Sequence, residues 1–215
     1  MLGDPWVVIP LAIFGVLAVA IIILSLRQSA KRKVEMERFA ASHGWRFLGR
    51  DASQLLLILD QVDPSENWTP DNIVLVGGRW KSIYLFSYSA GPKGDQTDEY
   101  GFACLAEHAG WRNEEPVSIF RRVPVVEKLL SDRVELGGPD FRREFTVQCR
   151  RPDVATTVVD NEVQSILLEH ALGPQWYLEV RIVGGRILVT TSHAQKPEEW
   201  DYLITMTKRL RAALE

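Results

Sequence analysis

Residues Trp6 to Leu26, WVVIPLAIFGVLAVAIIILSL, form an uncharged run of 21 residues, and RQSAKRK follows at once. As a helix such a run is about 30 Å long, which matches the hydrocarbon thickness of a bilayer. A signal peptide would carry a basic n-region, a shorter apolar stretch and a small-x-small cleavage site. Here Asp4 is the sole charged side chain before the run, which ends in Leu-Ser-Leu-Arg-Gln. A core helix is seldom apolar all round for five turns. The run therefore predicts a retained transmembrane helix, with tail and span occupying 1–26.

The flanks set an orientation, because Lys and Arg close to a span stay on the cytoplasmic side. Arg27, Lys31, Arg32, Lys33 and Arg38 all follow the run. The expectation is a single-pass protein of a bacterial inner membrane, amino terminus outside and C-terminal domain cytoplasmic. In that reading Trp6 is an outer interfacial aromatic, and Arg27, Lys31, Arg32 and Lys33 are membrane-interface residues on the inner side. Cys104 and Cys149 agree with a reducing compartment.

The net charge of -3 conceals an asymmetry. From Arg27 to Arg50 seven basic residues face two acidic ones, a net +5; Asp4 subtracts one, and Asp51 onward carries -7. An acidic body argues against a nucleic-acid partner, for which a basic domain is expected. The basic neck either lies against anionic headgroups or simply sets topology.

Residues 27–44 favour a helical stalk, with Val34, Phe39 and Ala40 on a weak apolar stripe and Gly44 as its stop. The remaining 45–215 suit one domain. Trp45 to Leu48 reads as a strand, and Asp51 or Ser53 as the cap of a helix over Leu55 to Leu59. Ile73 to Ser89 reads as a hairpin, its turn at Gly77-Gly78 or at Trp80 to Ser82, with the register open. YGFACLA and PVSIFRRV give two further strands, and VVEKLLSD a short helix. FRREFTVQC alternates like a strand, with Phe141, Phe145, Val147 and Cys149 on one face. Asp153 then caps VATTVVD, and Val163, Ile166 and Leu167 keep helical spacing beyond it.

QWYLEVRIVGGRILVTT is the clearest hairpin, because two glycines between apolar strands supply the positive φ angles of a type I′ turn. Pairing Val183 with Arg186 puts Trp176, Leu178, Val180, Ile182, Ile187 and Val189 on one face. The chain closes with a helix from Pro197, whose buried stripe is Trp200, Leu203, Ile204, Thr207, Leu210 and Leu214. Fold class is therefore α+β: a transmembrane helix, then a domain with a mainly antiparallel sheet and a C-terminal helix.

No catalytic or metal-binding constellation emerges. His43, His108, His170 and His193 are scattered, and HExxH, CxxC, GxSxG, Walker and GxGxxG motifs are all missing from the sequence. Cys104 and His108 would stand about 13 Å apart on a strand, too far for a nucleophile and its base. The carboxylate runs Asp98-Glu99, Glu114-Glu115 and Glu198-Glu199 sit in loops or at a helix start, where solvation and the helix dipole account for them. Three arginine pairs, Arg121-Arg122, Arg142-Arg143 and Arg150-Arg151, could bind a phosphate or headgroup if they converge, or salt-bridge to the acidic body. Trp68 and Trp111 lie in polar loops, where a binding aromatic is plausible.

The ordered features AASHGWRF, GRDASQLL, FSYS, FRREFTVQCRRPDVATTVVDNEVQSILL and WYLEVRIVGGRILVTT resemble bacterial membrane-anchored proteins grouped as domains of unknown function. In those, an FxxxFxV strand, here Phe141, Phe145 and Val147, precedes a capping Asp, here Asp153. The resemblance implies a bacterial membrane location and lends no catalytic residue or cofactor. The expected function is a non-catalytic binding or scaffolding subunit of a membrane complex, with lipid and protein partners and no cofactor. Two alternatives stand beside it: a lipid-headgroup or anion-binding module, and a tethered hydrolase whose residues meet only in the fold.

Overall fold

The computed structural model of the chain describes residues 5–77, 82–91, 99–107, 114–122, 131–171, 177–192 and 196–215; the side chains of 5–16, 21–22, 25–26, 99–100 and 171 lie outside that description. In chain order the elements are α1 (Pro5–Ser42), β1 (Arg46–Gly49), α2 (Ser53–Val62), β2 (Thr69–Val76), β3 (Ile83–Ala90), β4 (Glu99–Glu107), β5 (Val117–Arg121) and β6 (Arg133–Val134). Then come α3 (Pro139–Glu144), β7 (Phe145–Gln148), α4 (Pro152–Val158), α5 (Asn161–Ala171), β8 (Leu178–Val183), β9 (Arg186–Thr191) and α6 (Pro197–Leu214).

Among the described residues the strands form one sheet in the order β1-β2-β3-β4-β9-β8-β5-β7-β6, every pairing antiparallel. The end of α1 and helices α3 to α6 supply a core on one face, where Met36, Phe39, Phe141, Val163 and Trp200 meet Leu85, Cys104, Val180 and Val189. On the other face α2 sets Leu55, Leu59 and Val62 against Ile73, Phe86, Leu105 and Leu188. The domain is thus α+β, with helices covering both faces of the sheet.

That double cover explains why the first hairpin's register was open in the sequence. Ile83 and Leu85 enter one core while Tyr84 and Phe86 enter the other, so the strand lacks the polar alternation that marks a half-exposed sheet. Val76 pairs with Ile83, which places both suggested turns in the connection 77–82; Gly78, Trp80 and Lys81 lie outside the described residues. The second hairpin closes as its glycines require. Val183 pairs with Arg186, Gly184 and Gly185 have φ of 55° and 77°, and Leu178, Val180, Ile182, Ile187 and Val189 share one core; Trp176 lies outside the described residues.

Three local assignments differ from the sequence reading. The cap of α2 is Ala52, neither Asp51 nor Ser53, and no side chain bonds there. FRREFTVQC is not one strand: Pro139 opens α3, the backbone N–H of Phe145 closes it on the carbonyl of Phe141, and only then does the chain extend into β7. A spacing of four suits both periods, since Phe141 and Phe145 share a side in a helix turn as they would along a strand. Their rings stack at 5.2 Å between centroids, and both are buried with Val147 and Cys149. Asp153 is not the cap of α4 either; Arg151 holds that position because Pro152 takes the first helical place, and Asp153 falls in the first turn. Asp160 does cap α5, accepting from the backbone N–H of Val163 at 2.9 Å. The VVEKLLSD helix lies mostly outside the described residues.

The single-pass membrane reading is corrected. Among the described residues no helix is long and apolar enough to cross a membrane. The apolar run does not form a separate element, because α1 continues through Arg27, Lys31, Arg32 and Lys33 to Ser42 and delivers Met36, Phe39 and Ala40 to the core. The inner-membrane location and the outside-to-inside orientation fall with the span. Trp6's side chain lies outside the described residues, Arg27, Lys31 and Lys33 are exposed, and Arg32 is half-buried with its guanidinium 5.6 Å over the Phe102 ring.

Candidate functional site

A cavity of about 870 Å³ opens where α1 and the start of α2 meet the ends of β2 and β3. Its shape follows from a bulge. Between Asp71 and Val74 the register of β2 on β3 shifts, and Asn72 takes φ of 52°, a left-handed conformation that Asn tolerates better than most side chains. The turn is held locally: the Asn72 N–H donates to Asp71 Oδ1 at 2.9 Å, Asn72 Nδ2 to Ser87 Oγ at 3.0 Å, and Ser87 Oγ to the Asp71 carbonyl at 3.0 Å. Arg50 closes the outside, donating to both oxygens of Asp71 at 3.1 and 3.4 Å.

Two aromatics line the same space, Trp68 and Tyr88, their ring centroids 5.0 Å apart and tilted by 57°. Gly101 on β4 makes room for this pair: a Cβ there would stand 2.9 Å from Tyr88 Oη and 2.4 Å from the Thr191 carbonyl. Trp68 Nε1 is buried and has no hydrogen-bond partner. An indole N–H left unpaired in this way lacks the partner that buried Trp usually finds. From α1, Gln28, Ser29 and Arg32 complete the wall. Leu17, Leu24 and Gln28 are seven and eleven residues apart and so share a helix face, and Leu17 and Leu24 are 53% and 63% exposed. A polar, aromatic and cationic cavity thus continues along α1 into exposed aliphatic side chains.

The sequence singled out Trp68 as a binding aromatic from its polar loop, and Arg32 as a membrane-interface residue of the basic neck. Arg50, Asn72, Ser87 and Tyr88 carry no motif, and Thr69 to Asn72, with a proline, an aspartate and an asparagine, have the composition of a loop although they begin β2. Trp111 lies outside the described residues.

The six arginines do not converge. Arg150 and Arg151 sit past the far end of β7, 4.0 Å from Asp132 and 2.5 Å from Asp153 respectively, and the Arg151 contact holds the Asp153 carboxyl below its usual range. Arg121, Arg122, Arg142 and Arg143 gather where β5 ends and β7 begins. There Arg121 lies 3.9 Å from Glu144, and Arg143 lies 3.4 Å from both Asp140 and Glu144.

Cys104 is fully buried, and burial pushes its thiol up to about 12, against lesser opposing effects of Thr207, Lys208 and Arg211. It is packing, not a nucleophile. His108 lies outside the described residues, and no three His, Cys, Asp or Glu among the described residues could hold a metal. Glu199 serves helix structure, its carboxylate accepting from the Lys196 N–H at 2.8 Å at the start of α6.

No family model matches the chain, and no curated protein is similar to it. Among solved structures it is similar to the crystal structure of the mycobacterial trehalose monomycolate transport factor A, TtfA, with a TM-score of 0.58 and 16% identity, over 86% of this chain and 94% of that one. At that identity the likeness is one of fold, and it takes in nearly the whole of both chains.

Proposed function

We propose that the protein is a non-catalytic accessory factor of lipid transport that takes the polar head of an amphiphilic lipid in the Trp68 cavity. The observation that carries this reading is the join between two surfaces. Arg32, Trp68, Tyr88 and Asn72 offer a head group stacking and hydrogen bonds, and the exposed leucines of α1 continue the same helix face for an acyl chain. The fold likeness to a trehalose monomycolate transport factor points to a sugar head, for which an aromatic face and uncharged polar groups are suited.

The test is a titration of the full chain with a trehalose monoacyl ester, with trehalose alone and with the free fatty acid alone, read by intrinsic fluorescence. The ester should bind at least tenfold more tightly than either part. Trp68→Ala should weaken it by about 1–2 kcal/mol, the size of a lost aromatic contact. Equal affinity of wild type and Trp68→Ala, or binding governed by the acyl chain alone, would sink the headgroup assignment.

A further inference from the structure

The wall that α1 gives the Trp68 cavity carries a cation that no carboxylate among the described residues neutralises. Of the two guanidiniums lining that space, Arg50 is engaged by both oxygens of Asp71. Arg32 is half-buried over the Phe102 ring at 5.6 Å, and no ion pair or hydrogen bond to a described residue holds it. A guanidinium has five N–H donors and no acceptor, so its bonding is completed by acceptors that a ligand brings. Trp68 Nε1, buried in the same wall without a partner, has the same need. Gln28 stands one turn before Arg32 on this wall, and Leu24, 63% exposed, stands one turn before Gln28. Each step of four residues is about 6 Å along the helix and keeps to one face. Arg32 and Gln28 therefore occupy the crossing between the aromatic cavity and the aliphatic side chains.

We propose that Arg32 and Gln28 read the acyl linkage itself, donating to the ester carbonyl oxygen where a fatty chain joins its polar head. The assignment rests on the headgroup reading above and narrows its ligand to an ester. With the head against Trp68 and Tyr88 and the chain along Leu24 and Leu17, the linkage is the group that falls at the crossing. An ester carbonyl there offers two lone pairs and no donor, which suits a guanidinium and an amide N–H. An ether in its place loses that acceptor and leaves Arg32 facing a methylene. A site built to hydrogen-bond one group discriminates against a ligand that lacks it, because its own donors are then left unpaired. Arg32 is thus a specificity-determining residue, and the aromatic pair holds the head whatever the linkage.

The full chain is titrated calorimetrically with trehalose monooctanoate, with the ether analogue in which a methylene replaces the ester carbonyl, and with octanoate. The ester should bind about tenfold more tightly than the ether, the size of a hydrogen bond to a charged group. Arg32→Met should bring the ester down to the affinity of the ether and leave the ether as it was. Gln28→Leu, a change at an exposed position, should reduce the preference in the same direction. Lys31→Met is the control for charge alone. Lys31 is exposed, 3.7 Å from Glu35, and about 100° round the helix from Arg32, so that variant should keep the full preference. Equal affinity of ester and ether in the wild type, or a preference that survives both Arg32→Met and Gln28→Leu, overturns the linkage assignment; if both ligands still weaken in Trp68→Ala, the headgroup reading stands without it. Octanoate bound more tightly than the ester would make Arg32 a carboxylate site and overturn the assignment as well. Binding of neither amphiphile ends both readings. Thermal unfolding of each variant shows that the fold is kept.

Discussion

Cys104 shows how far one residue type can be read before its surroundings are known. Its spacing of four from His108 invites a catalytic pair, but β4 carries the thiol into the core beside Thr207. With its titration at about 12, the thiolate at pH 8 is about one part in ten thousand, and access is closed as well. Iodoacetamide should therefore leave Cys104 unmodified in the native chain and label it fully in denaturant, as read by mass spectrometry of the peptide. Native labelling at the rate of a free thiol would show that β4 is not held as described. Trp68 is the converse case. Its loop composition flagged it, and the fold gives it a cavity, yet Asn72 and Ser87 beside it were invisible because their roles depend on a bulge that only strand pairing creates.

Between elements, the most consequential polar contact joins α2 to β8. Arg181 ion-pairs with Asp63 at the end of α2 and donates to Glu179 Oε1 at 3.2 Å, while Tyr177 Oη donates to Glu179 Oε2 at 3.4 Å. Burial raises the Glu179 carboxyl above its ordinary value, Arg181 works against that rise, and the nearby Asp63 adds to it. Arg181→Met leaves two sheltered carboxylates facing each other, which should cost about 3–5 kcal/mol near neutral pH. The sign of the pH dependence follows from the raised value. Glu179's contribution is fully present below the ordinary carboxylate range, at about pH 4, and is lost as pH rises through its folded value. The variant should therefore be less destabilised at pH 5 than at pH 8 in urea unfolding, and an equal deficit at both would remove Glu179 from the account. Glu179 and Arg181 alternate with the apolar Leu178, Val180 and Ile182 and so fall on the opposite face of the hairpin; the pattern does not show that α2 packs over that side. The same blindness explains FRREFTVQC, whose apolar spacing satisfied helix and strand alike until Pro139 and the closing bond at Phe145 decided it.

For the whole molecule, the sequence reading began the domain at Trp45, after a span over 1–26 and a helical stalk over 27–44. Strong local patterns fixed the α6 stripe and the Gly184-Gly185 hairpin, whereas the join of α1 to the sheet rests on Met36, which no periodic stripe marked, together with Phe39 and Ala40. All three are buried, and the Phe39 ring lies 5.6 Å from Trp45 and 5.2 Å from Trp200. The last turns of α1 are therefore part of the domain's core. Two truncations separate the halves of the helix. A chain beginning at Arg27 keeps Met36, Phe39 and Arg32, and should unfold in urea with the midpoint and slope of the full chain to within about 1 kcal/mol. A chain beginning at Trp45 loses burial of a Met and a Phe, each worth about 2–5 kcal/mol, against a total stability of about 5–15 kcal/mol. It should unfold without a cooperative transition or accumulate as aggregate. Cooperative unfolding of the chain from Trp45 at full-length stability would mean that α1 is a lodger on the sheet, and the cavity it walls would then have to form without it.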